Sequence, residues 1–256
     1  MRTNGAVETD TAGLRPLSAR SVVLSLLLGT HPPRLPVKDL VRLVEPFGVG
    51  GSTLRAALSR MVSAGDLRRA NGVYGLSDRL LARQRRQDDA VRPRTRAWAG
   101  DWEMVVITAT GREPAERAAL RARLTALRLA ELREGVWLRP ANLDRPLPGD
   151  LARVAQTYTA RPEEPPRELV ARLWRLEDWA ATARTLLARV AGSHDPADSL
   201  TAFAAAVRHL LTDPVLPAGL LPPDWPGEAL RAAYAGYRAE LAASAGLGEG
   251  EAGGTP

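Results

Sequence analysis

Two arginines of this 256-residue chain, Arg55 and Arg60, lie in a segment whose other polar residues are short. Arginine can donate two parallel hydrogen bonds to guanine O6 and N7 or to a phosphate, and short side chains let a helix approach base edges closely. The short residues on the same predicted helix face are Ser52, Thr53, Ala56 and Ser59. The combination indicates a surface that reads DNA. An amphipathic helix with a merely solvated polar face is the alternative.

A helix that begins at Ser52 would hold these side chains on one side. At about 100° per residue, one sector of this helix is apolar and the complementary sector contains no acid. The apolar sector contains Leu54, Ala57, Leu58, Met61 and Val62. Ser52 is the predicted N-cap, and Ala64-Gly65 is the predicted C-terminal stop.

Two further helices are predicted before this one. Ala19 to Leu28 is apolar nearly all round, which predicts a buried first helix. A second helix is predicted from Pro36 to about Val44, with Pro46 stopping it. Its predicted inner face consists of Val37, Leu40, Val41 and Val44.

A β-hairpin is predicted after the arginine-bearing helix. Asn71-Gly72, the dipeptide most favoured at type I′ turns, separates two short strand-like runs, Asp66–Ala70 and Val73–Leu76. Arg68 and Arg69 precede the tip and Asn71 lies on it, so the hairpin can offer cations to phosphates or to the minor groove. Helix, helix, glycine-rich turn, helix and basic hairpin together predict a winged helix-turn-helix.

The positive charge is concentrated in this part of the chain. Residues 1–100 contain 17 Lys+Arg and 8 Asp+Glu, whereas residues 101–256 contain 18 and 21. Cations gathered on one module favour a polyanionic partner such as double-stranded DNA. A further helix, Arg79 to about Val91, carries Arg83, Arg85 and Arg86, which either extend the DNA contact or form the solvated face of a connecting helix.

Few residues have the types and spacing that catalysis requires. The chain has no cysteine and three histidines, none in a spaced metal or triad motif. His194-Asp195 is adjacent in sequence, which favours a helix cap or surface pair over an acid–base unit. We therefore expect a protein that is not an enzyme and holds no catalytic residue, metal or cofactor. The alternative is a metal-dependent enzyme acting on nucleic acid or an acyl-thioester through Asp101, Glu103 and Glu131.

Several long, irregular strings resemble the PaaX-type transcriptional repressors of phenylacetic acid degradation. They lie within 19–29, 54–62, 65–67, 74–77, 102–105, 135–142, 213–217 and 220–227. The resemblance implies a dimeric repressor with a winged helix domain, a ferredoxin-like middle domain and a helical C-terminal domain. In the best-known members the inducer is phenylacetyl-coenzyme A, so the resemblance implies a small-molecule inducer of this acyl-CoA type.

The helices and strands predicted beyond residue 101 are consistent with the three-domain organisation that the resemblance implies. Strand, helix and strand are predicted at Trp102–Thr108, Pro114–Leu132 and Val136–Leu138, which is half of a ferredoxin-like sandwich. The second half is less clear, with a helix near Asp150–Ala155 and a strand at Gln156–Thr159. Three helices are predicted beyond it, at Leu169–Ala191, Ala197–Leu211 and Glu228–Ser244.

The aromatic residues of this C-terminal region are predicted to be buried in a core or an interface, and a minority could line an inducer pocket. They are Trp174, Trp179, Phe203, Trp225, Tyr234 and Tyr237. Four arginines, Arg172, Arg175, Arg184 and Arg189, could meet the phosphates of a coenzyme A ester, but neighbouring acids favour a solvated helix face.

The predicted fold class is therefore α+β with three domains. The predicted limits are a disordered tail 1–17, a winged helix-turn-helix domain with its connecting helix 18–91, a linker 92–100, a ferredoxin-like domain 101–166, a helical domain 167–245 and a disordered tail 246–256. The longest uncharged run near the start is too short to span a bilayer, so we expect no membrane association and a cytoplasmic protein.

Overall fold

The computed structural model describes residues 18–193 and 195–244, and its chain divides into two compact units. The first contains the chain up to Arg85, Ala188–Ala205 and the chain from Tyr234; the second contains Arg86–Leu187 and Ala206–Ala233. Each unit has one small antiparallel sheet, so the fold class is α+β as predicted. The predicted tails 1–17 and 246–256, and His194, lie outside the described residues. The predicted domain limits stay a prediction.

The first unit contains three helices and a three-stranded sheet before its connecting helix. The elements are α1 (Ala19–Gly29), β1 (Arg34–Pro36), α2 (Val37–Val44), a 3-10 helix (Glu45–Phe47), α3 (Gly51–Ser63), β2 (Leu67–Ala70), β3 (Val73–Leu76) and α4 (Asp78–Val91). The strand order is β1-β3-β2. The short strand β1 was not predicted; it forms because Leu35 pairs with Tyr74 across the sheet.

The core of this unit is built around α1, whose predicted burial is confirmed. Six of its apolar residues are buried, namely Val22, Val23, Leu24, Leu26, Leu27 and Leu28. The predicted inner face of α2 is partly wrong: Val41 is 39% exposed, whereas Leu43 is buried beside Leu40. On a helix, Leu43 and Val44 flank Leu40, while Val41 lies about 100° away from it. Leu40, Leu43 and Val44 therefore face the core, and Val41 faces solvent.

The second unit is built on a four-stranded sheet. Its elements are β4 (Trp102–Ile107), α5 (Pro114–Ala126), β5 (Ala130–Arg133), β6 (Val136–Pro140), a 3-10 helix (Gly149–Arg153), β7 (Ala155–Ala160), α6 (Pro166–Leu173) and α7 (Leu176–Gly192). The strand order is β5-β6-β4-β7, with antiparallel pairs throughout. A buried cluster containing Val105, Leu124 and Trp137 packs on one face of the sheet, and a cluster containing Trp102 and Leu138 packs on the other.

Two predictions for the segment from Pro114 to Ala155 are wrong. The helix predicted to reach Leu132 ends at Ala126, because Arg128 adopts a left-handed backbone (φ 64°) and the chain then pairs with β6 as strand β5. The helix predicted near Asp150 is only a short 3-10 helix, Gly149–Arg153.

The long helix predicted from Leu169 to Ala191 is two helices. Trp174 has an extended backbone (φ −131°, ψ 139°) and ends α6, and α7 begins at Leu176. The break allows Trp174 and Leu176 to pack against the cluster around Trp102. Two further helices are α8 (Pro196–Leu210) and α9 (Gly227–Ser244). Each of them has residues in both units, as do α4 and α7. Within the described residues, no helix combines the length and the apolar character that a bilayer crossing needs.

Candidate nucleic-acid interface

Helix α3 presents the residues predicted to contact DNA. It begins at Gly51, with Gly50 in an extended conformation as N-cap and no side-chain cap. The prediction that Ser52 caps the helix is therefore wrong. Ser52 lies one residue inside the helix, and the backbone N–H of Leu54 donates instead to the Gly50 carbonyl at 2.9 Å. The predicted stop is confirmed: α3 ends at Ser63, and Gly65 adopts a left-handed φ of 69°.

The two faces of α3 divide as the periodicity predicts. Leu54, Ala57, Leu58 and Met61 are buried, and Val62 is partly buried. The opposite face is exposed throughout and contains no acid; it consists of Ser52, Thr53, Arg55, Ala56, Ser59, Arg60 and Ser63. The Arg55 guanidinium lies back over the start of the helix, 3.7 Å from where a Cβ on Gly51 would lie.

The arginines of α3 are available to a ligand. Within residues 18–193 and 195–244, neither Arg55 nor Arg60 forms an ion pair. A guanidinium that has no carboxylate partner keeps all five of its N–H donors for solvent or for an anion. The α3 surface can therefore donate hydrogen bonds to phosphates or base edges without first breaking an internal contact.

The predicted hairpin is confirmed. Strands β2 and β3 pair antiparallel, with Arg69 opposite Tyr74 and Ala70 opposite Val73. Asn71 and Gly72 both have positive φ, 49° and 75°, as a type I′ turn requires. Asn71 at the tip and both hairpin arginines are exposed.

The two hairpin arginines differ in their contacts, which the sequence did not predict. Arg68 forms an ion pair with Asp78, the first residue of α4. The Arg69 guanidinium lies over the Tyr74 ring, 5.7 Å from its centroid. Arg68 therefore has its charge offset by a carboxylate, whereas Arg69 has no ion pair within residues 18–193 and 195–244.

A buried carboxylate at the base of the hairpin was missed. The side chain of Asp66 is 2% exposed and accepts hydrogen bonds from Arg20 of α1, at 2.6 and 3.2 Å, and from Arg79 of α4. A buried carboxylate needs such partners, because leaving water is costly for a charge. Asp66 therefore ties α1 and α4 to the point where α3 leads into β2. In the sequence, the only indication that Asp66 is buried was its position directly after Gly65, where α3 was predicted to end.

A buried amide of helix α4 contacts the end of α1. The Gln84 side chain donates to the carbonyls of Leu28 and Thr30 at 3.1 and 2.9 Å, at the C-terminal end of α1. Buried carbonyls at a helix end need such partners. The three arginines of the same helix, Arg83, Arg85 and Arg86, are exposed. Both interpretations of them, DNA contact and solvated face, fit this placement.

The carboxylates of the enzyme alternative are engaged in separate ion pairs. Asp101 pairs with Arg161 at 2.5 Å, Glu103 pairs with Arg145 at 3.4 Å, and Glu131 pairs with Arg121. The hydrogen bond from Arg161 lowers the pKa of Asp101 below its usual value. Among the described residues, no three His, Cys, Asp or Glu side chains form a group that could hold a metal ion. The enzyme alternative is not favoured.

Segments far apart in sequence meet at a buried polar cluster in the second unit. Arg139 is fully buried and donates to Asn142 Oδ1 at 2.7 Å, and Asn142 Nδ2 donates to the Val215 carbonyl at 3.0 Å. Burial lowers the pKa of Arg139 to about 9. The Asp213 carboxylate accepts from Arg231 at 2.6 Å and from the Val215 backbone N–H at 2.7 Å. The cluster joins β6 to the loop before α9.

The C-terminal aromatic residues are mostly in cores, as predicted. Trp179 stacks on His209 and on Trp225, with centroid distances of 4.4 and 4.5 Å, and Phe203 stacks on Tyr237 at 4.0 Å. Trp179, Phe203 and Tyr234 are buried, whereas Trp174, Trp225 and Tyr237 are partly buried. The Asp195 carboxylate accepts the backbone N–H of Asp198 at 3.0 Å, so this half of the His194-Asp195 pair caps α8 as predicted.

Trp174 also lines a cavity of about 430 Å³ at the break between α6 and α7. The other apolar residues that line it include Val170, Leu176, Leu220, Leu221, Pro222 and Pro223, and Arg167 and Arg175 lie at the same cavity. The four arginines predicted for one long helix are distributed differently. Arg172 lies on α6 and pairs with Glu164, Arg175 lies in the break and pairs with Asp178, and Arg184 and Arg189 lie on α7.

Comparison with known proteins identifies the family. Residues 18–80 match the family described as PaaX-like protein, residues 95–159 the PaaX protein central Cas2-like domain, and residues 166–246 the PaaX-like protein C-terminal domain. A solved structure of an uncharacterized protein from Mycobacterium tuberculosis is 51% identical, with a TM-score of 0.80 over 90% of this chain and 98% of that chain. No curated protein matches.

The three matches follow one another along the chain and together account for most of it. Membership of this family supports DNA binding and transcriptional repression, in agreement with the exposed arginine face of α3. The chain therefore belongs to the PaaX family of transcriptional regulators.

Proposed function

We propose that this protein is a dimeric, ligand-responsive repressor of an operon for the catabolism of phenylacetate or a similar aromatic acid. The observation that carries the DNA-binding part is the outer face of α3, where Arg55 and Arg60 are exposed, have no acid beside them and are flanked by short side chains. Such a face can enter the major groove and donate to guanine or phosphate. Membership of the PaaX family supports the regulatory role.

We assign the first unit a winged helix-turn-helix, with α3 as recognition helix and the β2–β3 hairpin as wing. The element order helix, strand, two helices and hairpin supports this assignment, and so does the sheet order β1-β3-β2. The proposed DNA contacts are Ser52, Thr53, Arg55, Ala56, Ser59 and Arg60 on the helix, and Arg68, Arg69 and Asn71 on the wing. The helix would read bases while the wing would contact phosphates.

We assign the middle of the chain a ferredoxin-like sandwich. The strand order β5-β6-β4-β7 corresponds to the 2-3-1-4 order of a strand–helix–strand–strand–helix–strand chain, with the 3-10 helix Gly149–Arg153 in place of the second helix. The role of this sandwich would be to position the DNA-binding modules and to receive the inducer.

The proposed inducer is phenylacetyl-coenzyme A or a related acyl-CoA, and the cavity beside Trp174 is its proposed site. A volume of about 430 Å³ accommodates an aryl-acyl group in an apolar wall of leucines and prolines. Arg167 and Arg175 would meet the anionic coenzyme part. Inducer binding would release the operator by favouring a dimer geometry in which the two recognition helices no longer match the half-site spacing. A ligand shifts such an equilibrium only through its differential affinity for the two geometries.

The test of this function is a mobility-shift titration of the purified chain with its own upstream DNA at low and moderate salt. We expect a sequence-specific shift that weakens steeply as salt rises, because neutralised phosphates release counterions. Equal binding to the upstream fragment and to a scrambled fragment of the same length would contradict a specific regulator. Absence of any shift at low salt would remove DNA binding altogether.

A further inference from the structure

Three arginines of the second unit lie around a single carboxylate, that of Glu103. Arg139 Nε lies 3.9 Å from Glu103 Oε2, and Arg145 Nη2 lies 3.4 Å from the same oxygen. Arg128 is their neighbour, since its carbonyl accepts a hydrogen bond from Arg139 Nη1 at 3.5 Å. In the part of the chain that the structure describes, Arg128 forms no ion pair. Arg128, Arg139 and Arg145 are called the arginine cluster below.

The arginine cluster is largely removed from solvent. The side chain of Arg139 is 0% exposed and that of Arg145 is 20% exposed, while Arg128 is partly buried. Burial lowers the pKa of Arg128 to about 10, and it lowers the pKa of Arg139 and of Arg145 as well. The charge of Arg145 lowers the pKa of the other two in the same direction. The folded chain therefore holds several cations where water offsets little of their charge.

Neighbouring groups offset only part of this charge. The Asp213 carboxylate pairs with Arg231 at 2.6 Å, so these two charges balance each other. Asp89 is exposed, and its effect on the pKa of Arg128 is the smallest of those that act on this residue. The carbonyls at the end of α5 contribute only about half a negative charge, so with the carboxylate of Glu103 they leave an excess of about one and a half positive charges.

One donor of the arginine cluster is left without an acceptor. Arg145 Nη2 donates to the Leu127 carbonyl, directly after α5, at 2.8 Å. Arg145 Nη1 is buried, and among the described residues it has no hydrogen-bond partner. A buried charged donor without an acceptor is costly, so an anion that accepts from Arg145 Nη1 would remove that cost. The partial exposure of Arg145 gives such an anion access from solvent.

We propose that the arginine cluster binds the phosphate group of a small ligand, either free phosphate or a phosphate monoester. A phosphate monoester carries about −1.5 to −2 charges at pH 7, which matches the excess of the cluster better than the single charge of a carboxylate does. Guanidinium groups can also donate two parallel hydrogen bonds to phosphate oxygens. None of the three arginines lines the cavity beside Trp174, so this site does not rest on the proposed function.

Titration calorimetry of the full chain with inorganic phosphate tests the site, at constant ionic strength in a buffer without phosphate or sulfate. We expect saturable binding to the wild type. Arg145→Gln keeps an amide donor but removes the charge, and it should raise the dissociation constant about tenfold or more. Arg184→Gln is the matched control, since Arg184 is exposed and has no ion pair within the described residues. No saturable binding to the wild type, or equal affinities of the wild type and Arg145→Gln, would overturn the proposal.

A second variant changes the affinity in the opposite direction. Glu103→Gln removes the carboxylate that pairs with Arg139 and Arg145, so phosphate binding should become several-fold tighter. A purely structural role of the arginine cluster predicts no such gain. Urea unfolding verifies that each variant keeps its fold. Unchanged or weaker phosphate binding by a folded Glu103→Gln variant would therefore overturn the proposal.

A comparison of ligands identifies the source of the phosphate group. Glycerol 3-phosphate represents a phosphate monoester, and acetate represents a carboxylate. The tighter binder of inorganic phosphate and glycerol 3-phosphate is the better representative of the natural ligand, whereas acetate that binds as tightly as both would overturn the assignment to phosphate. A mobility shift with upstream DNA is independent of this result, so loss of phosphate binding in Arg145→Gln leaves the proposed function standing.

Discussion

Arg68 and Arg69 are neighbours on β2, but their surroundings give them different electrostatic roles. Asp78 offsets much of the charge of Arg68, whereas Arg69 lies over the ring of Tyr74 and has no ion pair in the part of the chain that the structure describes. A cation that is already paired contributes less to phosphate neutralisation than an unpaired one. Within the described residues, the β2–β3 hairpin therefore presents one cation without a carboxylate partner, although its sequence contains two arginines.

The first prediction concerns these two residues. Arg69→Ala should weaken binding to operator and random DNA alike and reduce the salt slope of the binding constant by about 1. Arg68→Ala should change the slope less, because the guanidinium of Arg68 is already paired with Asp78 and contributes less to phosphate neutralisation. Fluorescence anisotropy at four salt concentrations measures both slopes. Larger losses on operator than on random DNA would contradict a phosphate-contacting wing.

The second prediction concerns the arginines of α3. Arg55→Ala or Arg60→Ala should weaken operator binding by about 1–3 kcal/mol if that residue contacts a base, with a smaller loss on random DNA. Arg184→Ala removes an exposed arginine of α7 that has no ion pair within the described residues, and it controls for total charge. Competition titrations against both DNAs give the comparison. A similar loss in the control would attribute the effect to net charge alone.

The third prediction concerns Asp66. Asp66→Asn keeps the size of the side chain but removes the charge that Arg20 and Arg79 share, so we expect a loss of about 1–3 kcal/mol in the free energy of unfolding. Asp78→Asn is the control, because its pair with Arg68 is exposed on both sides and should contribute less than about 1 kcal/mol. Urea unfolding measures both. Equal losses would contradict a structural role for the burial of Asp66.

At the scale of elements, the wing depends on its two-residue turn. Its two central residues have positive φ, and only turns of this kind match the twist of the paired strands. The strands themselves are four residues each, which gives the hairpin little other means of fixing its register. The turn therefore sets where Arg69 and Asn71 lie relative to α3.

The fourth prediction tests this turn. Gly72→Val forces a β-branched residue into a left-handed backbone and should cost about 1–2 kcal/mol of stability. It should also weaken DNA binding, because the wing cations lose their position. Gly29→Ala is the control: Gly29 ends α1 with a normal φ and has nothing within 4 Å of an added Cβ. A Gly72→Val variant with unchanged stability and affinity would contradict the turn assignment.

At the scale of the whole molecule, the proposed function requires the inducer to bind the folded chain. The fifth prediction is that phenylacetyl-coenzyme A raises the melting temperature, whereas free coenzyme A or phenylacetate raises it less. Ligand at one hundred times its dissociation constant should add about 2.7 kcal/mol to the free energy of unfolding. A thermal-shift titration of the wild type and of Trp174→Ala measures this. An equal shift in both would place the ligand away from the α6–α7 cavity.

Much of the first unit could be predicted from the sequence because its signals are local. The apolar sector of α3, the Gly65 stop and the Asn71-Gly72 turn each depend on residues within one or two turns of chain. The exposure of Arg55 and Arg60 follows from the same periodicity, since a helix that buries Leu54 and Leu58 must turn these arginines outward. The DNA-binding prediction was therefore available from residue order alone.

Other features were decided only by the tertiary structure, because they depend on partners far along the chain. Asp66 needs Arg20, 46 positions away, to be recognised as a buried anchor. The residues after Ala126 continue a helical pattern, but pairing with β6 makes them a strand, and packing around Trp102 breaks the long helix at Trp174. A local pattern limits what a segment can form, and the contact with the larger buried area then selects one of those forms.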